Sequence, residues 1–460
     1  MKNTKKKINL EKFWKINKEE FNTQFFGISK DNELVVKEGN YQYNIADIVA
    51  KFGTPLEIFF PFVIEKRYLD LTQIFNFHIK DHEYKGRFFY HYPMKVNQNK
   101  EFVLPLISEG ANLETGSYNE LWLIRKLWDQ DQFHSRIRII CNGPKTDKYL
   151  GLIKELKENG LSIIPIIEDI NEYEALKGYR GDVGIRVKLD LRVSSHWDKK
   201  DDRYGLLAEE IYSLGRIRNL KILHYHVGSQ IMGQKDLINA VRTAIKIYVK
   251  LKKNNPSLDT FDIGGGFAIP YEKKMHYGIN SVVKGIISTI IKACKEGNVA
   301  HPNIICEWGR YIVAPSQITI FKVLCAKPIN NKVVKRWYII DGSFINDLID
   351  TWAIHQKWHI VPVTNLNAQK LTRVWLAGSS CDSDDRYTAG GSYILLPQIE
   401  DIKDNEYLTI AFFDSGAYQD PLASHHCLLS SPAKIIAQNG VITIARRRET
   451  SDEVGRIFGW

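Results

Sequence analysis

Residues 112–141 read NLETGSYNELWLIRKLWDQDQFHSRIRIIC, and the alternation inside this stretch decides the fold. It opens on a short strand-like run, Asn112–Thr115. A helical pattern follows over Ser117–Trp128, with Leu121, Ile124, Arg125 and Trp128 at i, i+3, i+4 and i+7 on one face. It closes on an apolar run, Ile137–Cys141. Strands that are apolar on both faces, joined through a helix, are the mark of a buried parallel sheet.

The same unit recurs in both directions. Strand candidates between about residues 55 and 310 are Leu56–Phe62, Arg87–Pro93, Asn112–Thr115, Ile137–Cys141, Ser162–Ile167, Val183–Leu189, Ile222–Val227, Thr260–Ile263 and Ile304–Glu307. Helical patterns such as Lys148–Asn159 and Lys235–Lys253 lie between them. This alternation predicts a (β/α)8 barrel. Nine candidates exceed a ring of eight, so one is a lead-in strand or lies outside the ring.

Past residue 315 the pattern changes to strand-like Gln317–Lys327, Lys332–Asp341, Thr372–Ala377, Tyr407–Phe413 and Gly440–Arg446. The turn signals Asn330-Asn331, Gly390-Gly391 and Asn439-Gly440 separate them. These segments predict an antiparallel β-domain, to which the weakly alternating residues 20–50 would add a strand. The expected class is therefore α/β. Residues 1–54 form an N-terminal segment packing on the β-domain, 55–314 the barrel and 315–460 the β-domain.

Composition narrows the function. The chain has 460 residues, 44% hydrophobic and 25% charged, which suits two to three domains and not a disordered chain. The net charge is +10, yet the lysines are scattered and the densest cluster, Lys5–Lys7, is N-terminal, so no nucleic-acid partner is expected. The six cysteines form no CxxC pair, which speaks against a zinc ribbon or disulfide framework and for a reducing cytoplasm. Neither a signal-peptide h-region nor a run of about 18 apolar residues is present, so no membrane association is expected.

The polar motifs fall at strand ends, where barrels place their active sites. Lys95 stands in Tyr92-Pro93-Met94-Lys95-Val96-Asn97-Gln98, between apolar neighbours that favour a lowered pKa and Schiff-base chemistry. Taken alone, such a lysine is ordinarily solvated. His224-Tyr225-His226-Val227-Gly228-Ser229-Gln230 ends another strand; a lone histidine there is ordinarily a satisfied core residue. Asp262-Ile263-Gly264-Gly265-Gly266-Phe267 reads equally as a tight turn or an anion nest. Cys306-Glu307-Trp308-Gly309-Arg310 sets a carboxylate three residues from an arginine, a plain ion pair or a cofactor clamp. Ser380-Cys381-Asp382-Ser383 and Gly416-Ala417-Tyr418-Gln419 are weak signals by themselves.

In order, K-x-N, H-x-G-S, GGGF, E-x-G-R, CD and GAY resemble the fold-type III pyridoxal-5'-phosphate (PLP) decarboxylases, the family of ornithine, diaminopimelate and arginine decarboxylases. The resemblance covers about residues 50–430. It implies an alanine racemase-like architecture, a PLP-binding TIM barrel plus a β-domain. Lys95 resembles the Schiff-base lysine, His226 the histidine stacked on the cofactor ring and Glu307 the partner of the ring nitrogen. Gly264, Gly265, Gly266, Ser229, Arg310 and Tyr418 resemble the phosphate cradle. Arg186 resembles the arginine near the ring hydroxyl, with Glu114 as its acidic neighbour. Cys381 resembles the proton donor to the substrate α-carbon, and Asp382 the ligand of the distal cationic end. The resemblance implies that both reach the site from the partner subunit, hence a homodimer with shared active sites.

The lysine motif, Ile349-Asp350-Thr351-Trp352-Ala353-Ile354, the CDSD run and the GAYQ run are similar to those of biosynthetic arginine decarboxylases. The implied reaction turns L-arginine into agmatine and CO2, an opening step of polyamine synthesis, with Asp350 beside Asp382 on the guanidinium. Ornithine, lysine and diaminopimelate remain alternative substrates, since carboxylates suit an ammonium too. Diaminopimelate ranks lower, because its distal carboxylate calls for an arginine where this chain offers Asp347 and Asp350. A racemase would place an arginine where Glu307 stands, and a non-catalytic homologue would not need Lys95, Glu307 and Cys381. His355/His359 and His425/His426 show no third metal ligand. Magnesium dependence belongs to similar enzymes but has no visible ligand set here. Two departures stand out: the chain is too short for the helical insertion of the large arginine decarboxylases, and Trp308, where relatives carry a small residue or proline, is expected to reshape the pocket mouth.

Overall fold

Eight of the nine apolar runs hydrogen-bond side by side, every pair parallel, and close on themselves. Around the ring they are Phe88–Pro93, Asn112–Thr115, Arg138–Cys141, Ser162–Ile167, Val183–Arg186, Leu220–His224, Thr260–Asp262 and Asn303–Cys306, the last pairing with the first. This computed structural model describes residues 9–130, 136–195, 202–275, 277–388, 393–399 and 408–460. Lys5–Lys7, the Gly390-Gly391 turn and Tyr407 lie outside the described residues.

The described residues of Ile64–Ile269 and His276–Ile312 form one compact unit, the barrel. Its helices start where the sequence caps them. The Ser117 hydroxyl accepts from the backbone N–H of Glu120 at 3.3 Å, and Thr146 caps Asp147–Glu158 in the same way. Leu121 and Ile124 of the helix Tyr118–Asp129 are buried, while Arg125 stays half-exposed and pairs with Glu155 at 3.0 Å. Inside the ring Ile140, Ile164, Ile166, Ile222 and Ile305 form a packed layer, as bulky branched residues do in such barrels.

The other unit comprises the described residues of Met1–Val63, Pro270–Met275 and Val313–Trp460. Leu56–Phe59, the ninth run, belongs here, pairing with Gln317–Pro328 and Ala433–Gln438. The expected antiparallel sheet is in fact mixed. Arg336–Ile340 runs parallel to Leu371–Ala377, and Leu56–Phe59 parallel to Ala433–Gln438. Both pairs are joined by connections long enough for a crossover, which a parallel pair requires. Residues 20–50 do not extend this sheet: Phe26–Ile28, Leu34–Glu38 and Tyr41–Asn44 make a three-stranded sheet of their own. Its Leu34 and Val36 pack in one core with Ile318, Ile320 and Ile435. Among the described residues no helix is long and apolar enough to cross a membrane.

A buried charge cluster ties this unit together. Lys434 Nζ lies 2.6 Å from Asp420 and 3.4 Å from Glu57, and Arg446 reaches the same two carboxylates at 3.5 and 2.9 Å. Burial, with Asp420 beside it, raises Glu57 to about 7 against the pull of both cations. Removing one partner strands buried charge, which costs about 3–5 kcal/mol. Lys434→Met is therefore expected to lower the urea midpoint of this unit sharply, whereas an unchanged midpoint would show that Arg446 alone neutralises the pair.

Candidate active site

Every barrel strand delivers one charged or strongly polar side chain at or just past its C-terminal end. In chain order these are Lys95, Glu114, Asn142, Glu168, Arg186, His224, Asp262 and Glu307. All but the exposed Lys95 are buried. Burial of so many polar groups costs free energy unless each is paired or a ligand completes the set.

The turn bearing Lys95 is held from both sides. The Tyr92 hydroxyl donates to the Asn97 carbonyl at 2.8 Å, and the Gln98 amide donates to Glu120 at 2.8 Å. Glu120 also accepts from the backbone N–H of Gly116 at 2.7 Å, so the lysine turn is fastened to the turn after the next strand. Met94 and Val96 are buried on either side.

Asn142 joins two of the acids. Its Nδ2 donates to Glu114 Oε1 at 2.8 Å and to Glu307 Oε1 at 3.2 Å. The other oxygens, Glu114 Oε2 and Glu307 Oε2, are buried, and Glu307 stands beside Asp262. His224 Nδ1 lies 3.1 Å from Asp262 Oδ2, whose Oδ1 accepts from the Gly264 N–H at 2.9 Å. Burial, then the neighbouring Asp262, pushes Glu307 up to about 8; burial pushes Asp262 up to about 7 and lowers His224 to about 4. Both carboxyls thus hold their protons more tightly than ordinary carboxylates, beside an imidazole that holds its own less tightly. His224, Asp262 and Glu307 also stand close enough to surround a cation, as do His78, Asp81 and His82.

Arg186 pairs with Glu168 at 3.2 Å and lies over the Tyr204 ring, 4.6 Å from its centroid. Burial would raise Glu168, but Arg186 and Lys145 hold its carboxyl below the ordinary range. The expectation that Glu114 is the acidic neighbour of Arg186 is corrected by this pairing: that carboxylate is Glu168, two strand ends away from Glu114. Adjacent strands bring their end residues closest, and Val183–Arg186 neighbours Ser162–Ile167.

The glycine triplet leaves little or no room for side chains. A Cβ on Gly264, at φ +61°, would come within 2.3 Å of the Tyr225 carbonyl. One on Gly265 would stand 3.0 Å from His226 Nε2 and 3.1 Å from the Glu307 carbonyl. The half-buried His226 is itself oriented by Gly228, whose N–H donates to Nδ1 at 3.2 Å. Arg310 approaches Ser229, donating to its hydroxyl at 3.4 Å. Gly264, Gly265, Gly266, His226, Ser229 and Arg310 therefore share one rim. Trp308 does not shape it: the indole is buried and stacks on Phe267, centroids 4.6 Å apart. A large apolar ring gains more by joining that aromatic cluster than by facing solvent.

The remaining singled-out residues lie in the sheet unit. The buried Asp350 starts the short helix Asp350–Ile354, and its N–H donates to Gln419 at 3.2 Å, so it meets the Gly416–Gln419 motif that contains Tyr418. Tyr418 is half-buried at φ 68°. Asp382 Oδ2 lies 3.0 Å from His426 Nε2, which donates to it in the tautomer that carries its proton there, and Cys381 faces Cys427. Asp382 also borders a cavity of about 420 Å³ lined by Lys327, Trp337, Asp385 and Arg386. Asp347 is engaged by the Ser343 N–H at 2.8 Å, and burial raises it to about 8. His359 bonds the Trp14 carbonyl at 2.8 Å and His425 pairs with Glu449, so both have roles within the protein.

Sequence reasoning assigned no role to Asn142, Glu168, His224 or Asp262. Each follows or ends an apolar run, and that position was the available signal.

The residues fit PLP on their own chemistry. Glu307, buried and holding its proton above the ordinary glutamate range, can serve as the counter-ion of a basic ring nitrogen, and Lys95 offers the amine. The glycine rim with Ser229 and Arg310 offers N–H, hydroxyl and guanidinium donors for a phosphate. Comparison with known proteins agrees. The family described as pyridoxal-dependent decarboxylase, pyridoxal binding domain, matches residues 71–314. The biosynthetic arginine decarboxylase of Rhodopirellula baltica is 28% identical over 335 residues, 65% of this chain and 49% of that protein. The chain thus spans about half the length of the curated relatives it matches. The crystal structure of the biosynthetic arginine decarboxylase of Campylobacter jejuni superposes with a TM-score of 0.80 at 22% identity, covering 95% of this chain and 89% of that one. Diaminopimelate decarboxylase from M. jannaschii, in complex with L-lysine, does so with a TM-score of 0.80 at 24% identity, covering 94% and 97%. At such identities the two structures speak for the fold.

Proposed function

Because the chain belongs to the pyridoxal-dependent decarboxylase family, we propose that it is a PLP-dependent carboxy-lyase that converts L-arginine to agmatine and CO2. The observation that bears most weight is Glu307, a buried carboxyl at a barrel strand end, with one oxygen bound by Asn142 and its proton held above the ordinary range by burial and by Asp262 beside it. Glu307 would release to a basic ring nitrogen the proton that burial otherwise keeps on the acid, and would serve as its counter-ion. When bound, PLP supplies the electron sink for the pair left on the substrate α-carbon as CO2 departs.

In this reading Lys95 holds the cofactor through its amine, and His226 packs on the ring. Gly264–Gly266, Ser229, Arg310 and Tyr418 hold the phosphate. Arg186, fixed by Glu168, faces the ring hydroxyl, and Glu114 tethers Asn142. Cys381 delivers a proton to the α-carbon. Asp350 and Asp382 pair with the guanidinium, whose planar fork suits two carboxylates. Cys381 and Asp382 come from the partner subunit, making a homodimer the active unit, in the cytoplasm. Arginine is favoured by the motifs around Lys95, Asp350, Cys381 and Tyr418 and by the names of the curated relatives. Other basic amino acids are the second reading, because solved structures of similar fold include enzymes named for diaminopimelate and for lysine and ornithine.

The test is purified protein with PLP, offered arginine, ornithine, lysine and diaminopimelate separately, with CO2 and amine measured. Agmatine should form fastest; faster release from another amino acid would reassign the substrate, and no release from any would remove the activity. Asp350→Ala and Asp382→Ala should each raise KM for arginine about tenfold or more, since a hydrogen bond to a charged group contributes about 1.5–3 kcal/mol. The losses should not add, both carboxylates serving one guanidinium. Mixing Lys95→Ala with Asp382→Ala protein should restore part of the activity, because each mixed dimer holds one site with both native residues. No restoration despite verified subunit exchange would refute the shared site.

A further inference from the structure

Of the six cysteines, all within the described residues, Cys381 and Cys427 are the exposed ones. They stand 46 residues apart in sequence, yet their Sγ atoms are 3.5 Å apart. The turns that bear them are fastened together one residue away, where His426 Nε2 lies 3.0 Å from Asp382 Oδ2. The second turn is anchored in its own unit: the His426 N–H and the Ser424 hydroxyl donate to Asn346 Oδ1 at 3.0 and 2.7 Å. Cys427 itself sits at φ 56° in the short turn His426–Leu428 and is exposed. The geometry is thus two neighbouring thiols, exposed on the single chain, on two turns tied to each other.

We propose that Cys381 and Cys427 are a reversible oxidation site, converted to an intramolecular disulfide by peroxides and returned to thiols by dithiols. The sulfur atoms need to close from 3.5 Å to about 2.05 Å, a movement within reach of χ1 rotation. In the first step one thiolate attacks the peroxide O–O bond, giving a sulfenic acid and hydroxide. In the second the other thiol attacks that sulfur; the S–O bond breaks, an S–S bond forms and water leaves. Two electrons pass from the thiol pair to one peroxide, and reduction by a dithiol reverses the balance by exchange.

In the reduced protein the hydrogen bond with Cys427 pushes the Cys381 thiol up, which keeps its proton on sulfur. The disulfide has no such proton. The functional consequence rests on Cys381 as the proton donor: oxidation silences the α-carbon protonation while leaving the barrel residues that bind the cofactor untouched.

The experiment treats the reduced, PLP-loaded protein with hydrogen peroxide, blocks remaining thiols and maps peptides without reduction. The expected product is a Cys381–Cys427 cross-linked peptide lighter by two hydrogens, absent in Cys427→Ser and removed by dithiothreitol. Turnover should fall by about 100-fold in the oxidised wild type, the usual span of a lost proton donor, and return on reduction. Cys427→Ser should keep its basal turnover and show no reversible cross-link. Peroxide that leaves both thiols free, drives them to sulfinic acid, or links two chains through Cys381 would overturn the site. A mapped intramolecular disulfide in a fully active protein would support the site and overturn Cys381 as the donor instead.

Discussion

Lys95→Ala is expected to lose the visible absorbance of bound PLP together with all decarboxylation above background. Only a primary amine at this point of the barrel can hold the aldehyde carbon covalently, and alanine has none. The turn itself should survive. Tyr92 still bonds the Asn97 carbonyl and Gln98 still bonds Glu120, and neither contact involves the lysine side chain. The near-ultraviolet circular dichroism of the apo protein should therefore match wild type, which separates loss of chemistry from loss of fold. Borohydride should fix the cofactor on the peptide containing Lys95 in wild type and on no peptide in the variant. Retained absorbance and turnover, or fixation at another lysine, would remove Lys95 from this role.

How far these residues were legible in the sequence follows from what a strand end looks like in one dimension. The strand candidates Asn112–Thr115 and Ser162–Ile167 appear in the structure with unchanged limits, the second as an apolar run after Ser162. Parallel strands covered on both faces are written as continuous hydrophobicity. The same writing hid the identity of the ninth run: Leu56–Phe59 is as apolar and as buried as a barrel strand, and only its partners reveal that it lies in the other sheet. Lys95, Glu307 and the glycines were legible because they sit in motifs with their neighbours. Asn142 and Glu168 were not, since a single polar residue after an apolar run is also how any strand ends. The pairing of Arg186 with Glu168 depends on ring order, which sequence spacing does not encode. Trp308 misled for a related reason. Its position one residue from Glu307 suggested the pocket, but a strand end alternates sides, and the indole turns to Phe267.

Glu307→Gln is the change with the next largest expected effect, and it separates chemistry from binding. Glutamine keeps the shape and can still accept from Asn142, so the cofactor should remain bound and its absorbance visible. It cannot carry the negative charge that holds a proton on the ring nitrogen. Loss of one aimed electrostatic partner at a developing charge typically costs about 10²–10³ in kcat, and KM for arginine should change little. The same variant reports on the apo protein through linkage. Glu307 is raised to about 8 in the fold, so the native state binds more protons than the unfolded chain between the ordinary glutamate range and about pH 8. Stability then falls as pH rises through that window, and Asp262, raised to about 7, adds to the fall. Removing the titrating carboxyl should flatten this slope, making the stability gained by Glu307→Gln over wild type larger at pH 8 than at pH 5 in the absence of PLP. Loaded with PLP, the wild type should recover the most stability at the alkaline end, where the ionised carboxylate gains its counter-ion. Parallel apo melting curves for the two proteins from pH 5 to 8, with turnover near that of wild type, would mean that Glu307 neither stores the proton nor faces the ring nitrogen.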